Sequence, residues 1–335
     1  MVGKLTRDDL ITGSVLPTLW GLNRWLKRNG LLRSHLANNH PDYLPLAPFN
    51  GNEYTQWGNI HETNILNVSG EHLNCSVNSN ITEVFRFKED FFEVSLDGIL
   101  TSNTNQKIHE TENIRFMGKL KGKEFIELDK GDVILTEAKS TQHSIEDEPP
   151  LERGVLQIQG GHLCYEAHGN KARYVMVSVL YRGSSLRLFI YEPDKEMQNE
   201  IIERIQDFYN RKKGPDYYPS MDTQDSAEAY PKSESDLPIV DFTLTHKQVA
   251  LDLYECVKTI KSCEKLRETL EAQLMDVMGM HEKGVLYNED SLGEEIFTLE
   301  RKTRNYKAQP QKNVPAKPAR SERAKKPTIK SDWRY

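Results

Sequence analysis

Four residues spread over about 80 positions, Glu62, Asp97, Glu137 and Lys139, have the types and order needed to hold a divalent cation. Mg²⁺ prefers carboxylate, carbonyl and water oxygens and takes few protein ligands, and Mn²⁺ suits the same donors. Asp97, Glu137 and the backbone carbonyl of Ala138 would supply such a set, and Glu62 could add a carboxylate to a second ion. The residue types therefore indicate a Mg²⁺ site, with Mn²⁺ as a possible substitute, that acts on a phosphodiester.

Residues 133–139 alternate in the way of a strand buried in the middle of a sheet. Alternation puts Glu137 and Lys139 on one face, and both faces are otherwise largely apolar. Two charges in such a strand are costly unless they are paired with each other or bind a metal. A buried ion pair without catalytic function is one explanation, and a metal site is the other.

Asp97 falls at the predicted end of a strand over residues 91–97, just before Gly98. Asp-Gly is also a common turn dipeptide. We expect Asp97 and Glu137 on neighbouring strands, with residues 100–131 forming a polar excursion that contains a second short hairpin. Lys139, beside the metal, could position or help to deprotonate the attacking water and offset phosphate charge.

These residues resemble the PD-(D/E)XK nuclease superfamily, and more closely its phage-lambda-type alkaline exonuclease branch, the phage recombination exonucleases. The resemblance covers about residues 5–212. Asp97, Glu137 and Lys139 match the D…ExK core, and Glu62 matches the helix glutamate of a W-G-x-x-x-E motif. Gln157, with a second glutamine two residues on, matches the Q-x-Q segment of the following helix and is expected to help hold the site.

The segment from Arg7 to Ser14 resembles the R-x-G-x-I-T-A-S motif of that branch, in which the arginine and serine hold the 5′-phosphate of the DNA end. The chain departs from the motif with Asp9 in place of the glycine and Gly13 in place of the alanine, and Leu96 replaces the proline that often precedes the first aspartate. The resemblance implies that Arg7 and Ser14 contact DNA.

The resemblance also implies a restriction-endonuclease-like α/β fold, with a mixed central sheet flanked by helices. It implies a Mg²⁺-dependent exonuclease that degrades linear double-stranded DNA from the 5′ end and leaves 3′ single strands for phage recombination. The implied partners are double-stranded DNA ends and a single-strand annealing or single-strand-binding protein, and related enzymes form trimers. An endonuclease of the same fold and a catalytically silent DNA-binding protein are the alternatives, and the intact acid and lysine set argues against the second.

The chain has 335 residues and a net charge of −6 at pH 7, enough for one large core and a smaller appendage. No apolar run reaches the roughly 18 residues of a membrane span, and the N-terminus lacks an apolar signal segment. The sequence therefore predicts a cytoplasmic protein without a membrane partner, in the host cytoplasm if a phage encodes it. The four cysteines form no C-x-x-C pair, which disfavours a zinc ribbon.

Basic residues are concentrated in a few places. Residues 301–335 carry a net charge of +10, so the other 300 residues carry −16. Arg24 and Arg28 belong to a basic group near two tryptophans and are candidates for DNA contact, as is a second basic group over residues 115–123. An ordinary solvated face explains either group equally well. Phosphate contacts would make DNA binding fall steeply with salt.

Periodicity and turn residues predict the elements that must position these side chains. The helices are expected over residues 12–29, from 52 to about 67, and over 151–167, 194–211 and 245–280. The strands are expected near residues 82–88, 91–97, 113–117, 123–127, 132–139, 174–181 and 186–191.

Composition divides the chain into four parts. Residues 1–212 form the predicted nuclease domain, 213–240 a linker, 241–304 a helical C-terminal extension and 305–335 a disordered basic tail. In the long helix of the extension, apolar residues follow alternating three- and four-residue spacing. That pattern fits a coiled coil, but folding back on the nuclease domain or on a short second helix fits equally well.

Overall fold

In the computed structural model, residues 6–230 are described apart from residue 8, residues 39–42 and residues 44–50, followed by residues 240–281, 283–287 and 295–300. The chain forms two compact units, Met1–Ser235 and Asp236–Tyr335. The predicted basic tail, residues 305–335, lies outside the described residues. No helix among the described residues has the length and apolar character needed to cross a membrane.

The helices and strands are numbered in chain order. The helices are α1 (Leu16–Leu19), α2 (Arg28–Ala37), α3 (Glu53–His72), α4 (Leu156–Ala167), α5 (Lys195–Lys213), α6 (Thr223–Ala229) and α7 (Leu244–Met278). The strands are β1 (Ile11–Thr12), β2 (Cys75–Asn78), β3 (Phe85–Lys88), β4 (Phe92–Val94), β5 (Gly98–Ser102), β6 (Gln106–His109), β7 (Ile114–Phe116), β8 (Phe125–Leu128), β9 (Val133–Thr141), β10 (Tyr174–Tyr181), β11 (Ser185–Tyr191), β12 (Lys283–Tyr287) and β13 (Glu295–Glu300).

A six-stranded mixed sheet forms the centre of the first unit, in the order β2-β5-β9-β10-β11-β7. β9 runs antiparallel to β5 and parallel to β10, and the connection from β9 to β10 passes through α4. β10 and β11 form an antiparallel hairpin. The predicted α/β class, a mixed central sheet flanked by helices, is confirmed.

The two faces of this sheet are buried in separate cores, as the apolar alternation in β9 and β10 requires. Leu135 and Val177 belong to the core shared with α4 and α5. Ile134 and Met176, one position away, belong to the core on the opposite face. A bond between the hydroxyl oxygens of Ser69 and Ser178, 2.9 Å apart, ties α3 to β10. β9 is therefore covered on both sides, as its sequence predicts.

Two glycines allow α4 to lie close to the strands that precede the site. A Cβ added at Gly160 would lie 2.9 Å from Leu16 and from Phe92, and one added at Gly161 would lie 2.7 Å from Leu96. Side chains at these positions would push α4 away from the segment that carries Asp97. The sequence prediction of a single helix over residues 151–167 is wrong at its start, because Gly154 adopts φ +98° inside an irregular turn, Leu151–Val155.

The helix predicted over residues 12–29 is also wrong. The chain forms the four-residue α1, leaves the helical path at Gly21 with φ +72°, and begins α2 only at Arg28. The Asn29-Gly30 pair, which predicts a helix stop, lies in the first turn of α2. Asn29 is fully buried there, and its side chain donates to the Tyr218 carbonyl and accepts from the Tyr218 amide. A distant partner overrides the local signal.

The strand predicted over residues 91–97 is too long, because only Phe92–Val94 forms a strand and Asp97 lies in the connection that follows it. β4 pairs with β1 and β3 in a separate three-stranded sheet, and β5, which was not predicted, begins at Gly98 in the central sheet. Gly98 is required for close packing, because a Cβ there would lie 2.6 Å from Leu66 on α3. In the insert, β8 pairs with β6, while β7 pairs with β11 at the sheet edge instead of forming the predicted short hairpin with β8.

Part of the segment predicted as a linker, residues 213–240, is folded within the first unit. It contains α6, which packs on α2. Asp225 on α6 is 1% exposed and accepts hydrogen bonds from the amides of Asn29 and Met221. The second unit contains α7, which matches the predicted long helix, and a pairing of β12 with β13.

Candidate active site

The pairing of β5 with β9 brings the first aspartate next to the E-x-K segment. Gly98 lies opposite Thr136, so Asp97 falls beside Glu137 and Ala138 at the same edge. The Asp97 carboxylate accepts a hydrogen bond from the Ala138 amide, with Oδ2 and N 3.0 Å apart. That bond fixes Asp97 against β9 although 40 residues separate it from Glu137 in the chain.

Glu137 and Lys139 lie on the β9 face that is covered by α4 and the irregular turn before it. Glu137 is 4% exposed, and the Lys139 ammonium donates to its Oε1 at 2.6 Å. A Cβ at Gly154 would lie 3.0 Å from Cγ of Glu137 and 3.4 Å from Cε of Lys139. The positive φ of Gly154 therefore lets bare backbone cover the pair.

Glu62 comes from α3. The helix begins with a capping box in which the side chains of Asn52 and Thr55 each accept from the other residue's backbone amide. Thr55, Asn59 and Glu62 are four and three residues apart, which puts them on one face of a helix, and all three line the same pocket as Asp97 and Glu137. Thr55 and Asn59 were not predicted as site residues. Their helical spacing from Glu62 is the sequence signal that would have placed them on the same face.

The carboxylates crowd one another. Burial, with the negative charge of Asp97, raises the pKa of Glu62 to about 7 against the opposing effect of Lys139. Burial and Asp97 also raise the pKa of Glu137, again opposed by Lys139. For Lys139, burial lowers the pKa, but the charges of Glu137, Asp97 and Glu62 outweigh burial, so the net pKa is raised. Burial and crowding thus favour the protonated forms of Glu62 and Glu137, because three ionised carboxylates around one lysine would repel one another.

The donor set fits Mg²⁺ in chemical type, because it offers hard carboxylate and carbonyl oxygens whose mutual repulsion a cation would relieve. Within the described ranges, no three or more His, Cys, Asp or Glu side chains stand in a geometry that could hold a metal ion. Two oxygens of the set are engaged within the protein: Oε1 of Glu137 by Lys139, and Oδ2 of Asp97 by the Ala138 amide.

Most of the sequence-predicted site residues line one open pocket of about 350 Å³. These residues are Ser14, Glu62, Asp97, Glu137, Ala138, Lys139 and Gln157. Ser14 contributes a hydroxyl 3.1 Å from that of Thr12, which also lines the pocket and was not predicted.

The two glutamines of the Q-x-Q segment have separate roles. Gln157 lines the pocket, whereas Gln159 is 1% exposed and points to α5. The Gln159 side chain accepts from the Asp194 amide at 2.9 Å and donates to the Glu192 carbonyl at 3.4 Å. Gln159 therefore anchors α4 to the N-terminus of α5, which orients the helix that carries Gln157.

Arg7 does not line the pocket. Its Nε and Nη2 donate to the two carboxylate oxygens of Asp9 at 3.0 and 2.8 Å, and its Nη1 donates to Asp90. Asp9 is the residue that departs from the glycine of the motif. Its carboxylate occupies the Nε–Nη2 edge of the guanidinium.

Arg24 and Arg28 also lie away from the pocket lining. The Arg24 guanidinium stacks over Trp25, 4.5 Å from the ring centroid, and is exposed. Arg28 stacks over Tyr218 at 4.9 Å, so part of the predicted basic group packs on the segment leading to α6. Lys27 of the same group forms an ion pair with Asp222 at 3.0 Å.

The segment between β9 and α4, residues 142–155, is here called the strap and is held in place by one acidic residue. Glu146 accepts hydrogen bonds from Arg153 and from the Tyr181 hydroxyl, the latter at 3.1 Å. Arg153 directly precedes Gly154, so this contact holds the turn that covers Glu137 and Lys139. The acidic loop 145–150 thus positions the cover of the site.

No protein-family model matches this sequence, and no curated protein matches it. Solved structures with a similar fold include an alkaline exonuclease, LHK-Exo, from Laribacter hongkongensis, at 11% identity over 62% of this chain and 90% of that chain, with a TM-score of 0.40. Another is a phage-related exonuclease from Haemophilus somnus 129PT, at 14% identity over 61% of this chain and 94% of that chain, with a TM-score of 0.39.

Proposed function

We propose that the chain is a Mg²⁺-dependent DNA exonuclease that degrades linear double-stranded DNA from the 5′ end and leaves 3′ single strands for recombination. The observation that carries the proposal is the meeting of Asp97, Glu137, Lys139 and Glu62 in one open pocket, from three separate elements. A structural ion pair would need only Glu137 and Lys139. Two further carboxylates next to that pair raise its electrostatic cost and are explained by a cation and a phosphodiester.

Each side chain has a role in this proposal. Asp97, Glu137 and the Ala138 carbonyl would hold one Mg²⁺, and Glu62 would contribute to a second. Bound there, the ion would lower the pKa of the attacking water and stabilise the in-line displacement. The Lys139 ammonium, held by Glu137, would orient that water and offset the charge of the phosphate, and Gln157 would help to hold the site from α4.

Direction and end preference come from the sequence resemblance, and one feature of the pocket is compatible with them. The hydroxyls of Thr12 and Ser14 line the pocket and can donate to phosphate oxygens. Arg7 is engaged with two aspartates, so we assign phosphate contact to the hydroxyls rather than to Arg7. The single-stranded product would pass to a single-strand annealing or single-strand-binding protein, which co-sedimentation with each class would test.

The deciding experiment measures nucleotide release from linear duplex labelled at the 5′ or the 3′ end, with Mg²⁺ and then with Mn²⁺. Early release of the 5′ label is expected for the wild type, and loss of release for Asp97→Ala and Lys139→Ala. Lys107→Ala, at an exposed lysine of the insert strand β6, is the matched control and should match the wild type. Equal activity in all four proteins would overturn the proposal.

A covalently closed circular duplex separates the alternatives. An exonuclease leaves the circle intact, whereas an endonuclease linearises it. Salt-sensitive DNA binding with no hydrolysis of either substrate would instead indicate a catalytically silent DNA-binding protein.

A further inference from the structure

The long helix α7 presents a continuous exposed stripe with the spacing of a coiled coil. The stripe, here called the α7 seam, consists of Val249, Leu253, Cys256, Ile260, Cys263, Arg267, Leu270, Leu274 and Val277. Successive members are alternately four and three residues apart without a break. The apolar members range in exposure from 43% at Leu274 to 87% at Val277, and both cysteines are exposed and unpaired with each other.

The spacing identifies the kind of surface that fits the seam. A stripe that repeats every 3.5 residues stays straight only on a helix that coils around another helix, whereas a helix packed on a sheet needs a period of 3.6. The seam keeps this register over about four heptads, the length at which such a pattern is diagnostic. Among the described residues of its unit, α7 is the only helix, so the matching helix has to come from elsewhere.

We propose that the α7 seam pairs with the α7 seam of a second copy of this chain, in antiparallel orientation. In heptad letters, Leu253, Ile260, Arg267 and Leu274 take position a, and Val249, Cys256, Cys263, Leu270 and Val277 take position d. An antiparallel pair opposes a to d. Its layers then combine Ile260 with Cys263, Leu253 with Leu270, and Val249 with Leu274 of the other copy.

Arg267 selects the orientation. A parallel pair in register would stack Arg267 on Arg267 in the middle of the interface, where like charges repel. In the antiparallel pair Arg267 instead meets Cys256 of the other copy, and Asp252 of that copy lies at the bordering g position. Arg267 forms an ion pair with Glu271 on its own helix, at 3.5 Å, and 67% of its side chain is exposed, so the guanidinium can also reach the second acid. By symmetry this pairing forms twice.

The proposal does not depend on the nuclease activity, because it uses α7 alone. It uses no surface of the first unit, so in a chain whose first unit is monomeric the pairing turns one copy into two. The measurable consequence is a factor of two in mass.

Sedimentation velocity of the full chain at micromolar concentration tests the pairing. Ile260→Glu puts a charge into the central layers and should halve the mass of the wild-type assembly. Because Ile260 is already 57% exposed in the single chain, this substitution leaves the folded copy intact, and circular dichroism checks the helix content. Ser262→Glu adds the same charge on the outer side of α7 and should keep the wild-type mass. Equal masses for all three proteins would overturn the proposal.

Oxidative cross-linking tests the orientation, since Cys75 and Cys164 are buried. Ile260→Cys places a thiol in the same layer as Cys263 of the other copy and should give a covalent dimer on a non-reducing gel, whereas Ser262→Cys should not exceed the wild type. Cys263→Ser leaves Cys256 as the exposed native thiol. In the antiparallel pair the two Cys256 residues are separated by about 16 Å along the helix axis, so no dimer should form. A covalent dimer of Cys263→Ser would indicate that the two α7 helices are parallel, and it would overturn the proposed arrangement.

Discussion

The carboxylate of Asp97 is held by the backbone amide of Ala138, the residue between Glu137 and Lys139, at 3.0 Å. This bond positions the aspartate through the Ala138 amide and does not use the Ala138 carbonyl. Asp97→Asn keeps an acceptor for the amide but removes the charge. We expect nuclease activity to fall by at least about 100-fold with a nearly unchanged melting temperature.

The control for that substitution is Glu127→Gln, which removes a carboxylate that is 59% exposed on the insert strand β8. Its activity and stability should stay close to those of the wild type. Full activity of Asp97→Asn would show that the charge of Asp97 is not used.

The pH dependence of stability should reveal the crowded carboxylates. Glu62 has its pKa raised from 4.5 to about 7, so between these values the folded state binds more protons than the unfolded state. The stability of the metal-free protein should therefore fall as pH rises across that window. Because the pKa of Glu137 is raised as well, the fall should continue above pH 7.

Urea unfolding in a chelator at pH 5 and pH 8 measures this effect. Glu62→Gln should make the unfolding free energy differ less between the two pH values, and Mg²⁺ should stabilise the wild type more at pH 8 than at pH 5. Identical slopes for the wild type and Glu62→Gln would contradict the assignment of the raised pKa to Glu62.

Gly154→Ala tests whether the bare backbone over the site is needed. The new Cβ would meet Glu137 at 3.0 Å and Val177 at 3.2 Å, at a φ of +98°. We expect a loss of stability on the order of 1–3 kcal/mol and a loss of activity larger than the stability change explains, because Glu137 must shift.

Gly169→Ala is the matched control, with φ +79° and open space around the added Cβ. It carries the same kind of backbone strain but cannot disturb the site, so kcat should be unchanged. Equal loss of kcat in both variants would mean that contact with Glu137 is unimportant.

Tyr181→Phe tests the strap. It removes the hydroxyl that donates to Glu146 and leaves the fully buried ring in place. The expected cost is about 1 kcal/mol of stability, with a fall in kcat and little change in KM, since the strap positions the cover of the site rather than the DNA. An unchanged kcat would separate the strap from catalysis.

Asp9→Gly tests the assignment of Arg7. The substitution frees the guanidinium edge now occupied by Asp9, so the preference for a 5′-phosphate over a 5′-hydroxyl end should rise. In the wild type, Arg7→Ala should leave that preference unchanged and lower stability, because the side-chain bonds of Arg7 to Asp9 and Asp90 are lost. A lost phosphate preference in Arg7→Ala would return Arg7 to the DNA site.

The parts of the fold that sequence predicts well are those specified by local alternation. β9 reads as a strand buried on both faces, and its two charges are the reason to expect a site. The start of α3 is predictable from its cap at Asn52. Its end is not, because Gly70 does not stop the helix; the glycine allows close packing on β2, where a Cβ would lie 2.3 Å from Val77.

The parts that sequence predicts poorly depend on partners far along the chain. Arg7 finds Asp90, Arg28 finds Tyr218, and Asn29 finds the Tyr218 backbone, at separations of 83 to 190 residues. A basic residue looks equally available for DNA in the sequence whether or not such a partner exists. The short α1, the turn at Gly21 and the missed β5 were mispredicted for the same reason, since tertiary contacts decide them.

The buried pair Asn29 and Asp225 determines where a C-terminal truncation can be placed. An expression fragment that ends at residue 212 lacks Tyr218 and Asp225. The buried amide and side chain of Asn29 at the start of α2 would then lose their hydrogen-bond partners. Such a fragment should be recovered mainly as insoluble material, whereas a fragment extended to residue 230 keeps the bonds of Asn29 to Tyr218 and Asp225.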